Sequence, residues 1–350
     1  MKIGIFLPNW LGDVAMATPV LRAMRRHFGR EARMVGIMRP YLADVLGGTD
    51  WLDEQWYFDP RGKDPEVSFW ALVGRMRRAR LDLVVLLSNS LRTAFLTCLG
   101  GARRRVGYAR NCRGPLLTRR LQPPRKGGRI QPSPMVDYYL KLAGAVGCPP
   151  EEPRLELHTT PAGERSAEAV WRRLGLRRDG RVILLNSSGA FGAAKLWPVE
   201  HFARLARLIV DRLDHDVLVV CGPKEQQIAR RIVEQAGRPR VFSMAEAPMD
   251  LGTSKACLRR GRLMVSTDSG PRHVAAALGR PVITLFGPML PIWSENHSQR
   301  AVNLALDLDC IGCRKRVCPL GHHDCMRKLS VPMVYAEVVK LLEEEKTAAA

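Results

Sequence analysis

The chain has 350 residues and carries 55 Lys and Arg against 34 Asp and Glu, a formal net charge of +21. This excess indicates an anionic partner: nucleic acid, an acidic membrane surface or a phosphorylated substrate. Hydrophobic residues make up 46% of the chain and charged residues 25%, a balance that excludes a disordered protein and, at this length, favours two domains.

The N-terminal segment and the cysteines bear on the cellular compartment. No stretch reaches the ~18 consecutive apolar residues of a transmembrane helix. The basic part of a signal peptide is reduced to Lys2, and Pro8, Asn9 and Asp13 interrupt the apolar part. Five of the nine cysteines are scattered singly, unlike a secreted disulfide framework. We therefore expect a cytoplasmic protein.

The first strand-to-helix junction carries the first candidate site. Residues 2–7 are an apolar strand, PNWLGD follows, and apolar residues then recur with helical spacing from Val14 to Gly29. Asn9 and Asp13 thus lie at the carboxyl end of a strand, where parallel α/β sheets bind ligands. Asp13 either caps the helix or faces a ligand.

The rest of the first half alternates strands and helices and then becomes basic. Strands are expected over 33–38 and 55–58, helices over 40–46 and 67–80, and a buried strand within LDLVVLLSNS at 81–90. Residues 102–130 hold ten Lys or Arg and no acid, with Arg104 and Arg105 among them. This run is either a solvated face or a surface for phosphorylated lipid or nucleic acid.

A proline-rich segment separates the halves. Cys148 to Pro153 contains three prolines in five residues, which is typical of a linker. We predict a first domain over 1–155, a second over 156–330, and a C-terminal helix over 331–350. A helix over 134–146 precedes the linker, and another over 162–174 follows it.

The second half repeats the alternation. The strand RVILLNSS opens into the loop GAFGAAKLWP, in which Gly189 and Gly192 permit close approach and Lys195 precedes the helix 199–213. Further strands are expected over 216–220 and 241–244, the latter ending at Met244, and helices over 224–236 and 249–260. A β–α unit of about 30 residues in both halves predicts two doubly wound parallel sheets.

The stretch from Arg262 to Pro288 reads strand, polar turn, helix, strand. Pro271 sits where a helix begins, and HVAAALG ends at Gly279. The turn residues Asp268, Ser269 and Gly270, with His273 one helical turn on, share one small volume. A turn of this kind is either an ordinary helix cap or, since helix N-termini stabilise anions, a phosphate site.

Three separated motifs resemble one family, the ADP-heptose:lipopolysaccharide heptosyltransferases, which are inverting glycosyltransferases of the two-domain GT-B type. These motifs are PNWLGDV at 8–14 with the residues Ala17-Thr18-Pro19 that follow it, GAAKLWP at 192–198, and DSGPRHVAAALGRPVITLFGP at 268–288. The resemblance implies a GT-B fold, with two Rossmann-like domains facing across a cleft and the last helix returning to the first domain. Ala190 departs from it, because many relatives have Glu there.

The resemblance also implies roles for residues. Asp13 is implied as the general base, Lys195 as the contact to the donor diphosphate, and Met244 as an adenine contact. The remaining donor residues are implied at the turn: the amides of Ser269 and Gly270, an assisting His273, and Asp268 on sugar hydroxyls or on the loop itself. On the acceptor side the implied residues are Asn9, Arg104 and Arg105.

The C-terminal part contains a cysteine block, defined as Cys310, Cys313, Cys318 and Cys325, with His322 and His323 inside it. Its first pair has metal-ligand spacing, so the block is either a structural zinc or cluster site, or a set of paired or buried thiols. The spacing resembles that of the second heptosyltransferases of the family.

The resemblance implies ADP-heptose as donor and an anionic lipopolysaccharide core as acceptor, with peripheral association at the cytoplasmic face of the inner membrane. It implies no metal or other cofactor for catalysis. A nucleic-acid partner is not expected, because the sequence shows no helix-turn-helix, finger or interleaved aromatic and basic residues. Two alternatives stay open: a relative that uses another acceptor or nucleotide-sugar, and a basic nucleic-acid-binding protein. The chain lacks G-x-G-x-x-G after a strand and any P-loop motif, which argues against a dinucleotide oxidoreductase and a P-loop kinase.

Overall fold

The computed structural model describes residues 1–189, 191–248, 250–297 and 300–349. The chain divides into two compact units, Met1–Leu157 and His158–Ala350, and each is described by itself. Ala190 and Met249, which entered the predictions above, lie outside the described residues.

The first unit is built on a six-stranded parallel sheet with the strand order β3-β2-β1-β4-β5-β6. The strands are β1 Lys2–Phe6, β2 Arg33–Met38, β3 Glu54–Tyr57, β4 Leu83–Leu86, β5 Arg104–Tyr108 and β6 Arg119–Leu121, and a small antiparallel pair follows, β7 Arg125–Lys126 and β8 Arg129–Ile130. The helices are α1 Leu11–Met16, α2 Thr18–Phe28, α3 Phe69–Ala79, α4 Leu91–Leu99 and α5 Met135–Gly144. This is the strand order of a doubly wound nucleotide-binding sheet, whose switch point lies between β1 and β4.

Two helical predictions in this unit need correction. The single helix expected from Val14 to Gly29 is two, α1 and α2, because Pro19 has no N–H to continue the first. The freed carbonyl of Ala15 accepts a hydrogen bond from the Thr18 hydroxyl at 2.7 Å. The helix expected over 40–46 is a 3-10 helix, Pro40–Leu46.

The second unit repeats the architecture with the order β11-β10-β9-β12-β13-β14, all parallel. Its strands are β9 Val182–Asn186, β10 Asp216–Val220, β11 Val241–Ser243, β12 Leu263–Thr267, β13 Val282–Leu285 and β14 Ala301–Leu304. Its helices are α6 Pro161–Leu174, α7 Val199–Leu213, α8 Gln226–Ala236, α9 Leu251–Arg260, α10 Gly270–Ala277, α11 Asp324–Arg327 and α12 Val331–Ala349. The predicted fold class, two doubly wound parallel sheets, is confirmed.

The central strands form the core of each unit. β4 and β9 are buried along their whole length, as expected of central strands with helices on both faces. The last helix, α12, packs against α7 and β13 of its own unit, and its return to the first domain stays a prediction. Within the described residues, no helix combines the length and the apolar character that a membrane crossing requires.

Candidate active site

The switch point of the second sheet gathers polar side chains at the carboxyl ends of β9 and β12. Asn186 ends β9, and its amide donates to the Ser266 hydroxyl at 2.9 Å and to the Ser269 hydroxyl at 2.7 Å. Ser269 is the N-cap of α10, which begins at Gly270 and has Pro271 in its first turn. The loop before α10 is therefore tied to the neighbouring strand, and the N–H groups of the first turn lie at the place where this fold binds phosphates.

Asp268 organises this turn through both of its carboxylate oxygens. One oxygen accepts hydrogen bonds from Arg272 Nε at 3.2 Å and from the Ser294 hydroxyl at 3.1 Å, and the other accepts one from Lys195 Nζ at 2.6 Å. Lys195 Nζ also donates to the Asp268 carbonyl at 2.8 Å. A buried carboxylate with this many charged donors is rigidly held.

The electrostatics of the group follow from burial and charge. Burial by itself raises the pKa of Asp268, but the charges of Arg272 and Lys195 outweigh it and hold this pKa at about 2. Asp268 is therefore ionised at neutral pH. Arg272 is also buried, and its second hydrogen bond, to the Ser294 carbonyl at 2.7 Å, fixes the following loop to α10.

His273 lies one turn into α10 and is 3% exposed. Burial and the nearby Arg272 charge lower its pKa well below the ordinary value of 6.5. Its Nδ1 atom has no hydrogen-bond partner in the described part of the chain. His273 is consequently a neutral imidazole at pH 7, which can form hydrogen bonds but carries no positive charge.

Lys195 reaches Asp268 from the loop between β9 and α7, and two residues that the sequence analysis missed lie beside it. The ring of Phe191 lies under Lys195 Nζ at 5.1 Å from its centroid and under the Arg316 guanidinium at 5.6 Å. Arg316 thus adds a second cation beside Lys195. Arg316 lies within the cysteine block, between Cys313 and Cys318, and is distant in sequence from Lys195, so only the folded chain reveals that the two are close.

The segment that carries Arg316 also supports the Lys195 loop through its backbone. The Ala194 N–H donates to the Arg316 carbonyl at 3.0 Å, and the His323 ring pairs with the Ala194 carbonyl at 2.8 Å. At Gly192 an added Cβ would lie 2.4 Å from the Arg316 carbonyl oxygen, so the approach requires glycine. The far end of the loop is anchored by the buried Trp197, whose indole donates to the Leu329 carbonyl at 2.8 Å.

The structure does not support the predicted zinc or cluster site in the cysteine block. All four cysteines are free, and across residues 1–189, 191–248, 250–297 and 300–349 no three His, Cys, Asp or Glu side chains are arranged to hold a metal ion. Burial raises the pKa of Cys325 to about 11, with the other three thiols of the block close enough to add to the effect.

Met244 follows β11, and its side chain is 1% exposed. Its N–H donates to the Val219 carbonyl at 2.9 Å, which extends the β10–β11 pairing by one residue. The structure therefore places Met244 at a strand end but within the core, and its adenine contact stays a prediction.

The first unit places Asp13 at its own switch point. Trp10 is the N-cap of α1, and Asp13 lies half-buried in the first turn. Asp13 is therefore not the N-cap residue of α1 but its third helical residue. The negative charge of Asp13 adds to burial in raising the pKa of two nearby phenols, Tyr41 and Tyr139. The Tyr41 hydroxyl donates to the Asn9 carbonyl, which links Asn9 to the same group.

A second set of polar groups, unforeseen from the sequence, lies after β4 at the same edge. The Asn89 side-chain oxygen accepts from Arg113 at 3.0 Å and from the Tyr138 hydroxyl at 3.2 Å. Tyr138 stacks on Tyr108 at 3.7 Å between centroids. Arg113 is fully buried, which lowers its pKa to about 10.

Arg104 and Arg105 are not brought to Asp13. They begin β5, and Arg104 pairs with Leu83 at the amino end of β4, whereas Asp13 follows the carboxyl end of β1. At about 3.3 Å per residue, the length of the sheet separates the two edges. The Arg105 guanidinium also donates to the carbonyls of Leu116 and Ala102 at 2.7 Å and 2.6 Å, which indicates a structural role.

Known proteins of similar sequence match this chain over nearly its whole length. Lipooligosaccharide heptosyltransferase 2 of Haemophilus ducreyi is 24% identical over 369 residues, which cover 98% of this chain and 99% of that protein. Lipopolysaccharide heptosyltransferase 2 of Escherichia coli K12 is 24% identical over 363 residues, covering 99% of this chain and all of that protein.

Solved structures share the fold. The ADP-heptose lipopolysaccharide heptosyltransferase II of E. coli superposes with a TM-score of 0.79 at 22% identity, over 99% of this chain and 100% of that one. A glycosyltransferase family 9 protein of Veillonella parvula superposes with a TM-score of 0.85 at 23% identity, over 98% and 97% of the two chains. The predicted GT-B fold class is thereby confirmed.

A match to the sequence model of one family shows which family the chain belongs to. The model of glycosyltransferase family 9 (heptosyltransferase) matches residues 69–323, which is more than half of the chain and includes the Lys195 loop and the Asp268 turn. The resemblance seen in the motifs is confirmed, and the chain belongs to glycosyltransferase family 9, the heptosyltransferases.

Proposed function

We propose that this protein transfers a heptose, with inversion, from ADP-L-glycero-D-manno-heptose to the inner core of lipopolysaccharide, on a Kdo-lipid A acceptor that already carries its first heptose. Family membership supports the enzyme class. The full-length relatives named heptosyltransferase 2 in H. ducreyi and E. coli support the step and the acceptor.

The observation that carries the donor side is the pairing of Lys195 with Asp268 beside the first turn of α10. An ammonium group has three N–H bonds, and among the described residues two of its hydrogen bonds go to Asp268. A third N–H therefore remains for a ligand oxygen. In this proposal it binds the donor diphosphate together with the amides of Ser269 and Gly270, and neutral His273 assists as a hydrogen-bonding group.

These groups also explain how ADP departs. Negative charge grows on the diphosphate as the glycosidic bond breaks, and preorganised donors at that position lower the barrier. Lys195, Arg316 and the positive end of α10 supply such charge, so the proposal assigns the cationic role to the chain itself and requires no metal. Asp268 would orient Lys195, and any contact to sugar hydroxyls would add to that role.

On the acceptor side, Asp13 is the proposed general base. A sugar hydroxyl must lose a proton as it attacks, and a carboxylate within hydrogen-bond reach accepts it. The position of Asp13 in the first turn of α1, and not at the cap, supports this role. Asn9 lies in the same loop and would contact the acceptor, whereas Arg104 and Arg105, at the other edge, would contribute only to the basic surface.

The net charge of +21 fits an acceptor rich in phosphate and carboxylate. We propose that the protein meets this acceptor at the cytoplasmic face of the inner membrane, as a peripheral protein, and that nucleic acid is not its partner.

The decisive experiment is a transfer assay with purified protein. It is supplied with ADP-heptose and with lipid A carrying Kdo and one heptose, and mass spectrometry follows the acceptor. We expect an increase of one heptose on that acceptor. A parallel series with UDP- and GDP-sugars, and with the acceptor lacking the first heptose, tests the alternative of another donor or acceptor. Transfer only in that series would replace the proposal.

A further inference from the structure

The outer surface of α3 and α4 carries a group of exposed apolar side chains. Trp70 is 70% exposed, and Leu91 and Phe95 are each 47% exposed. Phe69 joins them, with its ring edge-on to Trp70 at 5.2 Å and stacked on Phe95 at 6.2 Å. These four residues, here called the aromatic patch, form one contiguous surface across two helices.

Trp70, Leu91 and Phe95 face away from the core, whereas the partly buried Phe69 also packs against it. The inward faces of the two helices bury Leu72, Val73 and Met76 on α3 and Ala94 and Leu96 on α4. Leu91 and Phe95, four residues apart, share the opposite face of α4. A contiguous apolar surface rimmed by polar groups marks an interaction site, because isolated exposed apolar residues are common but clustered ones are not.

The charges on these helices have one sign. Neither helix sequence contains an Asp or Glu, whereas α3 contains Arg75, Arg77 and Arg78 and α4 contains Arg92. Arg78 and Arg92 are exposed. Arg78 lies eight residues after Trp70, on the same helical face. The Arg77 guanidinium donates to the Leu99 carbonyl at 2.8 Å and ties the ends of the two helices together.

The acids nearest in sequence before α3 are Asp64 and Glu66, and Glu54 on β3 forms an ion pair with Arg75 of α3 at 3.8 Å. Asp64 is engaged within the chain, since its carboxylate accepts from the Glu66 N–H at 2.9 Å. Asp64 and Glu66 both lie in the turn before α3 and not on its outer face. From residue 83 to residue 136 the sequence contains no acid at all.

We propose that the aromatic patch, with Arg78 and Arg92 beside it, docks this protein on an anionic lipid bilayer. Aromatic rings and Leu enter the interface between headgroups and acyl chains, and arginines at the same level pair with lipid phosphates. A second copy of the chain fits less well, because an isologous dimer would set arginines opposite arginines. The inference rests on the proposed function in one respect: the docked protein would act on an acceptor that is itself a membrane lipid.

The test uses sedimentation of the full-length protein with vesicles. One set is phosphatidylcholine alone, and the other contains phosphatidylglycerol in addition. The patch variant is Trp70→Ser with Phe95→Ser, and the charge variant is Arg78→Glu with Arg92→Glu. Their matched controls are Met333→Ser, an exposed apolar residue on α12, and Arg165→Glu with Arg204→Glu, exposed arginines on α6 and α7. Circular dichroism verifies that each variant is folded.

The wild-type protein should bind the anionic vesicles and release them at high salt. Both test variants should lose about tenfold or more in partitioning, while the controls stay within about twofold. Absent binding by the wild type, or equal binding by the patch variant, would overturn the proposal. A dimer in gel filtration that only the patch substitutions convert to a monomer would also overturn the proposal, because the partner bound to the patch would then be a second copy of the chain.

A second measurement separates this inference from the proposed function. The patch variant should transfer heptose to a deacylated, water-soluble acceptor at the wild-type rate. If no protein, wild type included, transfers heptose to any acceptor, the proposed function fails while the vesicle result stands. If transfer proceeds and vesicle binding does not depend on the patch, only the docking surface fails.

Discussion

Lys195 is held in place by Asp268 before any ligand arrives, and this sets what its removal should do. In Lys195→Ala, Asp268 keeps its contacts to Arg272 and Ser294, so the fold should survive. A hydrogen bond to a charged group contributes about 1.5–3 kcal/mol, which corresponds to an ADP affinity about 10- to 100-fold weaker. Isothermal titration calorimetry measures this directly.

The matched control for that variant is Lys328→Ala, because Lys328 is also paired with an aspartate, Asp324, but lies on the surface. Its ADP affinity should equal that of the wild type. If Lys195→Ala binds ADP as tightly as Lys328→Ala does, the diphosphate role of Lys195 is refuted.

His273 predicts a pH dependence of stability. Its pKa in the folded protein lies well below 6.5, so below pH 6.5 the unfolded chain binds a proton that the folded chain does not. The free energy of unfolding therefore falls as the pH drops from 6.5, by about 1.4 kcal/mol per pH unit for this one group.

His273→Gln isolates this contribution, because the glutamine does not titrate. Urea unfolding of both proteins at pH 7.5 and pH 5 should show the wild type losing more stability on acidification than the variant. An identical loss in the two proteins would show that His273 is protonated in the folded state.

At the scale of elements, the close approach between the Lys195 loop and the segment carrying Arg316 depends on Gly192. A methyl group there would meet the Arg316 carbonyl oxygen at 2.4 Å, so Gly192→Ala should push the two segments apart. We expect faster amide hydrogen exchange in residues 310–323 and weaker ADP binding. Gly144→Ala in α5, where a Cβ meets nothing within 4 Å, is the control, and equal exchange in both variants would contradict the account.

Elements with strong periodicity were predictable from the sequence. The helix expected over 199–213 is α7, Val199–Leu213, and the strand expected over 33–38 is β2, Arg33–Met38. Both have a one-sided or continuous apolar pattern that tertiary contacts only reinforce. The division of the first helix was not predicted, although Pro19 was the available signal.

Strands β5, β6 and β14, on one side of each sheet, escaped prediction. β5 and β6 begin with arginines, RRVGY and RRL, and β14 is only half-buried along its length. β6 and β14 end their sheets and show little apolar patterning because one edge meets water, whereas in β5 the two leading arginines leave only three buried residues to signal a strand. Without β5, the sequence could not show that Arg104 and Arg105 start a strand and thus lie at the edge remote from Asp13.

Some candidate site residues were likewise predictable from the sequence, and others were not. Asp13, Lys195 and Asp268 stand next to strand ends that the sequence reveals, so their positions at the switch points were predictable. Arg316 and Phe191 were not, because their contribution is a contact between loops far apart in sequence. In the cysteine block the sequence suggested a metal site. The structure instead shows free thiols in the same segment that supports the Lys195 loop.

For the whole molecule, the proposed roles fall on separate units, the base on the first and the diphosphate site on the second. Substitutions should therefore separate catalysis from donor binding. Asp13→Asn keeps the size of the side chain but removes its basicity, and general base catalysis contributes about 100- to 10,000-fold.

The most direct test of this account measures, for Asp13→Asn, both the heptose transfer rate at saturating donor and the affinity for ADP. The account predicts a transfer rate lower by about 100-fold or more, with ADP affinity within about twofold of the wild type. A variant that transfers heptose at the wild-type rate, or one that loses ADP binding along with activity, would contradict the claim that Asp13 is the base.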